Sequence, residues 1–167
     1  MTRVRLSVLF FALLVGVSLC FAQATKNKRH GKGAKHIVVT PDQVKWGPAP
    51  PSLPAGAEMA VLRGDPSKAG APFTIRAKMP DGYRVPPHWH PTDENVSVVQ
   101  GTLVVGMGSK FDESAGNEMP AGSYALMPKG VRHFAWAKGD TIIDIYGVGP
   151  FAITYVNPSD DPRHKAK

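Results

Sequence analysis

From Ala57 onward the chain alternates short apolar runs with turn formers. Phe73, Ile75, Ala77 and Met79 alternate with Thr74, Arg76 and Lys78, the period of two expected of a strand with one buried face. The runs Glu58 to Leu62, Phe73 to Met79 and Val96 to Met107 end in Gly64-Asp65-Pro66-Ser67, in Pro80-Asp81-Gly82 and in a polar loop from Gly108 to Glu118. Later runs span Ser123 to Met127, Arg132 to Ala137, Thr141 to Val148 and Phe151 to Val156, with Lys138-Gly139-Asp140 read as a hairpin turn. Almost no window outside the N-terminal segment carries helical periodicity. Many short antiparallel strands without an internal repeat imply an all-β fold, a single barrel or sandwich.

The segments before this region are organised differently. Arg3 and Arg5 precede an apolar run from Leu6 to Phe21, which ends at Ala22-Gln23-Ala24. That is the layout of a secretory signal peptide, and the run is shorter than the ~20 residues a spanning helix needs. Residues 1–24 are therefore expected to be cleaved, leaving an exported protein, periplasmic or secreted, with no stable membrane insertion. Leu19 before Cys20 is a poor lipoprotein signal. Residues 25–36, TKNKRHGKGAKH, can bury nothing and read as a basic disordered linker. Residues 37–56 contain the proline cluster from Pro48 to Pro54 and read as an extended arm across the domain surface. The barrel is placed at 57–157 and a C-terminal tail at 158–167.

The net charge of +7 suggests an anionic partner until the charges are located. Seven of the 20 basic residues precede Ile37 and all 13 acidic residues follow it, so 13 positive charges face 13 negative ones from Ile37 onward. A neutral domain lacks the footprint of a nucleic-acid binder, and none is expected as a partner. Cys20 is the sole cysteine, so the mature chain forms no disulfide and offers a metal no thiolate.

The residues with chemistry lie in two segments. In GYRVPPHWHPTDENVSVVQG, from Gly82 to Gly101, His88 and His90 are two apart, so on a strand both imidazoles project from one face and can chelate one ion. The turn Pro91-Thr92-Asp93 returns Glu94 beside them as an anionic oxygen donor. In GSYALMPKGVRHFAWA, from Gly122 to Ala137, His133 follows a Pro128-Lys129-Gly130 turn and arrives from a distant strand. Three imidazoles and one carboxylate then converge. His30, His36 and His164 lie in the linker and tail and read as ordinary surface histidines.

The first segment resembles the first cupin motif, G-x5-H-x-H-x3-E-x6-G, met by Gly82, His88, His90, Glu94 and Gly101. The second resembles the second motif, G-x5-P-x-G-x2-H-x3-N, met by Gly122, Pro128, Gly130 and His133, with Ala137 in place of the asparagine. The resemblance implies a single-domain cupin jelly-roll β-barrel with metal ligands at His88, His90, Glu94 and His133, and family habit suggests a homodimer.

Nitrogen and oxygen donors without sulfur suit one divalent ion, Mn, Fe, Ni, Zn or Cu, and do not choose among them. An octahedral ion with four protein ligands keeps two positions for water, oxygen or a chelating substrate. Strand alternation sends Val96, Val98 and Gln100 inward with Glu94, and Ala135 and Ala137 inward with His133, leaving Phe134 and Trp136 on the other face. The pocket is then mostly apolar. Arg76, Asp144 and Tyr146, and Asp112 and Glu113 in the loop after Met107, are candidates for acid-base work, each equally readable as a solvated side chain. Three functions follow for a small-molecule ligand or substrate: a metal-dependent, dioxygenase-like oxidoreductase on a small chelating molecule, a non-catalytic ligand-binding or sensor module, and a metal-dependent decarboxylase or isomerase.

Overall fold

Among residues 36–164, which the computed structural model describes, nine strands follow one another. They are β1 (Gly47–Pro48), β2 (Glu58–Arg63), β3 (Pro72–Met79), β4 (Arg84–Trp89), β5 (Glu94–Met107), β6 (Gly116–Pro120), β7 (Tyr124–Met127), β8 (His133–Val148) and β9 (Thr154–Tyr155). Only 3-10 turns interrupt them, at Pro41–Gln43, Glu113–Ala115, Pro158–Asp160 and Pro162–His164. The expected leader at 1–24, the linker as far as residue 35 and residues 165–167 lie outside the described residues.

The architecture is the expected all-β cupin jelly roll, and β5 and β8 make it. At 14 and 16 residues each would span about 45 to 55 Å if straight, so both bend and serve two halves of one curled antiparallel sheet. In one half Thr141 to Val148 of β8 lies between β3 and the start of β5, with β2 outside β3 and β7 outside β5. In the other, His133 to Lys138 of β8 lies between β4 and the end of β5, with β9 outside β4 and β6 outside β5. The core fills the space between the halves, with Phe73, Ile75, Val96, Leu103 and Ile143 all almost wholly buried.

The bends correct two expectations. Lys138-Gly139-Asp140 is not a hairpin turn, because β8 runs through it and pairs with β5 on both sides, Thr102 opposite Lys138 and Gln100 opposite Ile142. The residues that read as a turn form an irregularity where both strands change sheet, with φ +73° at Gly101 and +74° at Gly139. A Cβ on Gly101 would stand 2.4 Å from the Asp140 carbonyl oxygen, so only glycine fits this crossing. Thr141 is fully buried there and donates its hydroxyl to the carbonyls of Thr102 and Gly139. The register shift between Val98 and Gln100 breaks the alternation: Val96 and Val98 are buried as expected, and Gln100 is exposed instead of facing inward.

Two further boundaries differ. The polar loop after Met107 ends earlier than its composition suggests, since Gly116–Pro120 pairs with β5. The run from Phe151 to Val156 contributes only Thr154–Tyr155 as strand. Phe134 and Trp136 do lie on the outer face of β8, where Phe111 covers both, with ring centroids 4.9 and 5.5 Å away. The proline-rich arm is held against the barrel. β1 pairs with β2, Leu53 packs against the core, and the hydroxyls of Tyr83 and Tyr155 donate to the carbonyls of Pro54 and Ser52 at 2.6 and 2.8 Å.

Candidate metal centre

His88 lies in β4 and His90 just beyond its end, while Glu94 opens β5 and His133 opens β8. A bulge shapes the first of these strands. Its register with β8 shifts between Val85 and His88, over Pro86 and Pro87, which have no N–H to give a ladder. The shift lets Val85 and His88, three apart, both line the same cavity. His88 then pairs with His133 across the strands, and His90 comes in from the turn.

All four side chains are buried, with exposures of 2 to 6%. The imidazole centroids are 4.2 Å apart for His88 and His133, 5.0 Å for His88 and His90 and 5.4 Å for His90 and His133, and one nitrogen of each lies within 4.8 Å of the others. These three histidines could hold a metal ion. The Oε2 atom of Glu94 approaches Nε2 of His133 to 3.2 Å and Nε2 of His90 to 3.4 Å. Donors about 2.0 to 2.2 Å from a shared ion stand roughly 3.0 to 3.4 Å apart.

The tautomers follow from the backbone. Nδ1 of His88 lies 2.7 Å from the Pro86 carbonyl oxygen, Nδ1 of His90 2.7 Å from that of Ala152, and Nδ1 of His133 3.1 Å from that of Val131. A carbonyl only accepts, so each Nδ1 carries the proton and each Nε2 presents a lone pair. Main-chain carbonyls that fix ring and tautomer in this way are the usual support of a metal-binding histidine. Nε2 of His90 is buried without a hydrogen-bond partner.

Lone pairs facing a carboxylate repel it unless a positive charge sits between them. Protons supply that charge poorly. Burial, then the neighbouring His133 and His90, push His88 down to about 3. Burial alone would push Glu94 up, but the protons that Nε2 of His133 and His90 donate toward it when no metal is bound, standing in for the cation, outweigh it and hold the carboxyl well below its usual range. A divalent cation satisfies the three lone pairs and the carboxylate together, so the residues fit the metal that the cupin pattern implies.

The centre forms part of the wall of a cavity of about 180 Å³, otherwise lined by apolar side chains such as Ile75, Val96, Leu103 and Ile143. Phe151 stacks on His90, with ring centroids 4.5 Å apart and planes at 17°. The acid-base candidates stand elsewhere. Arg76 and Asp144 form a two-point ion pair at 2.7 and 2.8 Å, and the Tyr146 hydroxyl meets Ser97, all on the face opposite the cavity. Asp112 caps the turn at Glu113–Ala115, and exposed Glu113 pairs with Arg84. Ala137, at the position of the motif asparagine, is a buried core residue whose main chain pairs with Gly82 and Tyr83.

The family model of the ChrR cupin-like domain matches residues 34–152. The chain belongs to this cupin family. Solved structures agree with this cupin in fold. A proposed acetylacetone dioxygenase from Methylibium petroleiphilum PM1 is 21% identical at a TM-score of 0.59, over 77% of this chain and 86% of that one. The polyketide cyclase RemF from Streptomyces resistomycificus is 17% identical at 0.58, over 77% and 90%, and KdgF from Halomonas sp. is 18% identical at 0.52, over 70% and 96%. Identities this low establish a shared fold and carry no activity across. No curated protein matches the sequence significantly.

Sequence reasoning missed three parts of this cupin's site. The Ala152 carbonyl and the Phe151 ring come from a stretch that reads as one more strand, and no local signal marks them. Leu53 and Ser52 enter the cavity wall from the arm, for which the proline cluster was the available hint.

Proposed function

We propose that this cupin binds one divalent metal ion through Nε2 of His88, His90 and His133 and a carboxylate oxygen of Glu94, and that it works as a metal-dependent, dioxygenase-like oxidoreductase on a small chelating organic molecule. The observation that carries the proposal is the cluster of three buried histidines with the Glu94 carboxylate 3.2 and 3.4 Å from Nε2 of His133 and His90, on a cavity otherwise lined, among the described residues, by apolar side chains apart from Ser52 and Tyr83. A redox-active ion held by these residues would supply Lewis acidity and redox chemistry at the cavity wall. The chain's part is to offset the ion's charge with Glu94, to hold the imidazoles by their Nδ1–H bonds, and to keep water out with the apolar wall.

The test is oxygen uptake by the Fe(II)-, Mn(II)-, Ni(II)- or Cu(II)-loaded protein with a panel of enediols, phenols and β-diketones. Steady uptake that disappears in His88→Ala is expected. A second reading, a non-catalytic ligand-binding or sensor module, is favoured by the lining of the cavity, where among the described residues the one titratable side chain beyond the four donors, Tyr83, is committed to the Pro54 carbonyl, and ligand binding without uptake would establish it. A decarboxylase or isomerase needs a proton donor there, which Asp112 and Glu113, exposed and engaged elsewhere, do not supply.

The same proposal makes the mature domain an exported, periplasmic or secreted protein that binds no nucleic acid and pairs with a second copy. Cell fractionation tests the export, analytical ultracentrifugation the pairing and a gel-shift assay the lack of nucleic-acid binding.

A further inference from the structure

The wall of the cavity says more about its ligand than the metal donors do. Beyond the four donors, the only polar side chains among the described residues that reach it are those of Ser52 and Tyr83, and the Tyr83 hydroxyl is committed to the Pro54 carbonyl. The remaining surface is aliphatic and thioether, with the Phe151 ring beside His90. Met59, Met79 and Met127 come from three different strands, and their flexible chains adapt to flat or branched contents. Away from the Ser52 hydroxyl, a ligand hydroxyl or charge buried against such a wall finds no side-chain partner, at a cost of roughly tenfold or more in affinity each. The volume, about 180 Å³, is slightly above the ~150 Å³ of an engineered apolar cavity that accommodates benzene. Leu53, clipped in place by the tyrosine bonds to its neighbours Ser52 and Pro54, helps to set that limit on the arm side.

We infer that the ligand of this site has one chelating oxygen-donor end and an apolar body of about six to eight carbons, a single ring or a short branched chain. Polyhydroxylated, multiply charged and fused-ring molecules match this wall poorly, because the part seated against it would bury unpaired polar groups or outgrow the space. The chelating end rests on the metal reading above, whereas the apolar body follows from the wall alone.

A hydroxamate series separates the two, because the head group stays constant while the tail varies. The zinc-loaded, redox-inert full-length protein is titrated calorimetrically with aceto-, butyro-, hexano-, benzo-, 2-naphtho- and gluconohydroxamate. Affinity is expected to rise about fourfold per added methylene up to the hexanoyl chain, the equivalent of ~0.8 kcal/mol each. Benzohydroxamate should bind well, and the naphthyl and polyhydroxylated compounds no better than acetohydroxamate. Flat affinity across the alkyl tails, or tightest binding by gluconohydroxamate, would overturn the inference. Zinc content and acetohydroxamate binding read the metal proposal alone. If the protein takes up no zinc, the apolar body is still decided by toluene added to metal-free protein: shifts confined to the methyl resonances of Met59, Met79 and Met127 support it, and their absence overturns it.

Discussion

The Oε2 atom of Glu94 stands 3.2 Å from Nε2 of His133, although the two residues belong to strand ends that pair with other partners, Glu94 with Met127 and His133 with Met107 and His88. The contact therefore comes from closure of the barrel and not from strand register. It places a carboxylate against nitrogens whose protons are held on the far side of each ring.

Glu94→Gln keeps the shape and removes the charge. Metal affinity should fall about 100-fold or more, since even the outer partners of a ligand are worth 10- to 100-fold. The metal-free variant should be less stable than the metal-free parent at neutral pH, because the carboxylate that His133 and His90 favour is lost. Equilibrium dialysis and urea unfolding check the two halves, and a metal-free variant as stable as its parent would contradict this account.

Removing the hydroxyls that clip the arm should loosen it. Tyr83→Phe and Tyr155→Phe each leave a carbonyl without its donor, a loss of about 1 kcal/mol apiece. Hydrogen exchange should quicken in residues 47–57 ahead of the rest of the barrel. Uniform quickening would mean that the arm is not a separate unit.

The same tyrosines set an alkaline limit. Burial pushes Tyr83 up to about 12, and burial, then Tyr83 and nearby acids, pushes Tyr155 up as well. The unfolded chain ionises its tyrosines near pH 10, so between there and about pH 12 the folded state binds more protons and stability falls as pH rises. The contribution is fully present below pH 10. Unfolding midpoints across this range should drop for the parent and drop less for the double Phe variant.

Gly106→Ala tests the outer packing of β8. A Cβ there would stand 2.2 Å from the Phe134 ring, which is fully buried, so a loss of about 1 to 3 kcal/mol is expected. Gly47→Ala meets nothing within 4 Å and should stay within about 0.5 kcal/mol. Equal midpoints for the two variants in urea would show that Phe134 yields.

Much of the site was legible in the sequence because its donors are spaced by strand and turn geometry. His88 and His90 flank the end of one strand and His133 follows a second turn, so the three histidines that cluster are among those the motifs name, and Glu94 comes within 3.4 Å of two of them. Alternation also placed Val96, Val98, Ala135, Phe134 and Trp136 correctly. It failed at Gln100 and at Lys138-Gly139-Asp140 for one reason. A glycine-bearing irregularity in a long strand has the composition of a turn, and only the pairing of β5 with β8 on both sides reveals that the strand continues. The arm and Phe151 were illegible as site residues because their positions depend on contacts far away in the chain.

Arg76 and Asp144, which could have been read as acid-base residues, offer a negative control. Their ion pair is about one-fifth exposed and faces away from the cavity, so Asp144→Asn should cost about 1 kcal/mol of stability and leave metal content unchanged. A lower metal content in the folded variant would tie the outer face to the centre.

The most direct test of the central claim is the metal content of the purified mature protein beside that of His133→Ala, by elemental analysis after dialysis against each of Mn(II), Fe(II), Ni(II), Zn(II) and Cu(II). The account predicts about one ion per chain in the parent and about a tenth of that or less in a folded His133→Ala. A folded His133→Ala that retains the parent's full complement would contradict it.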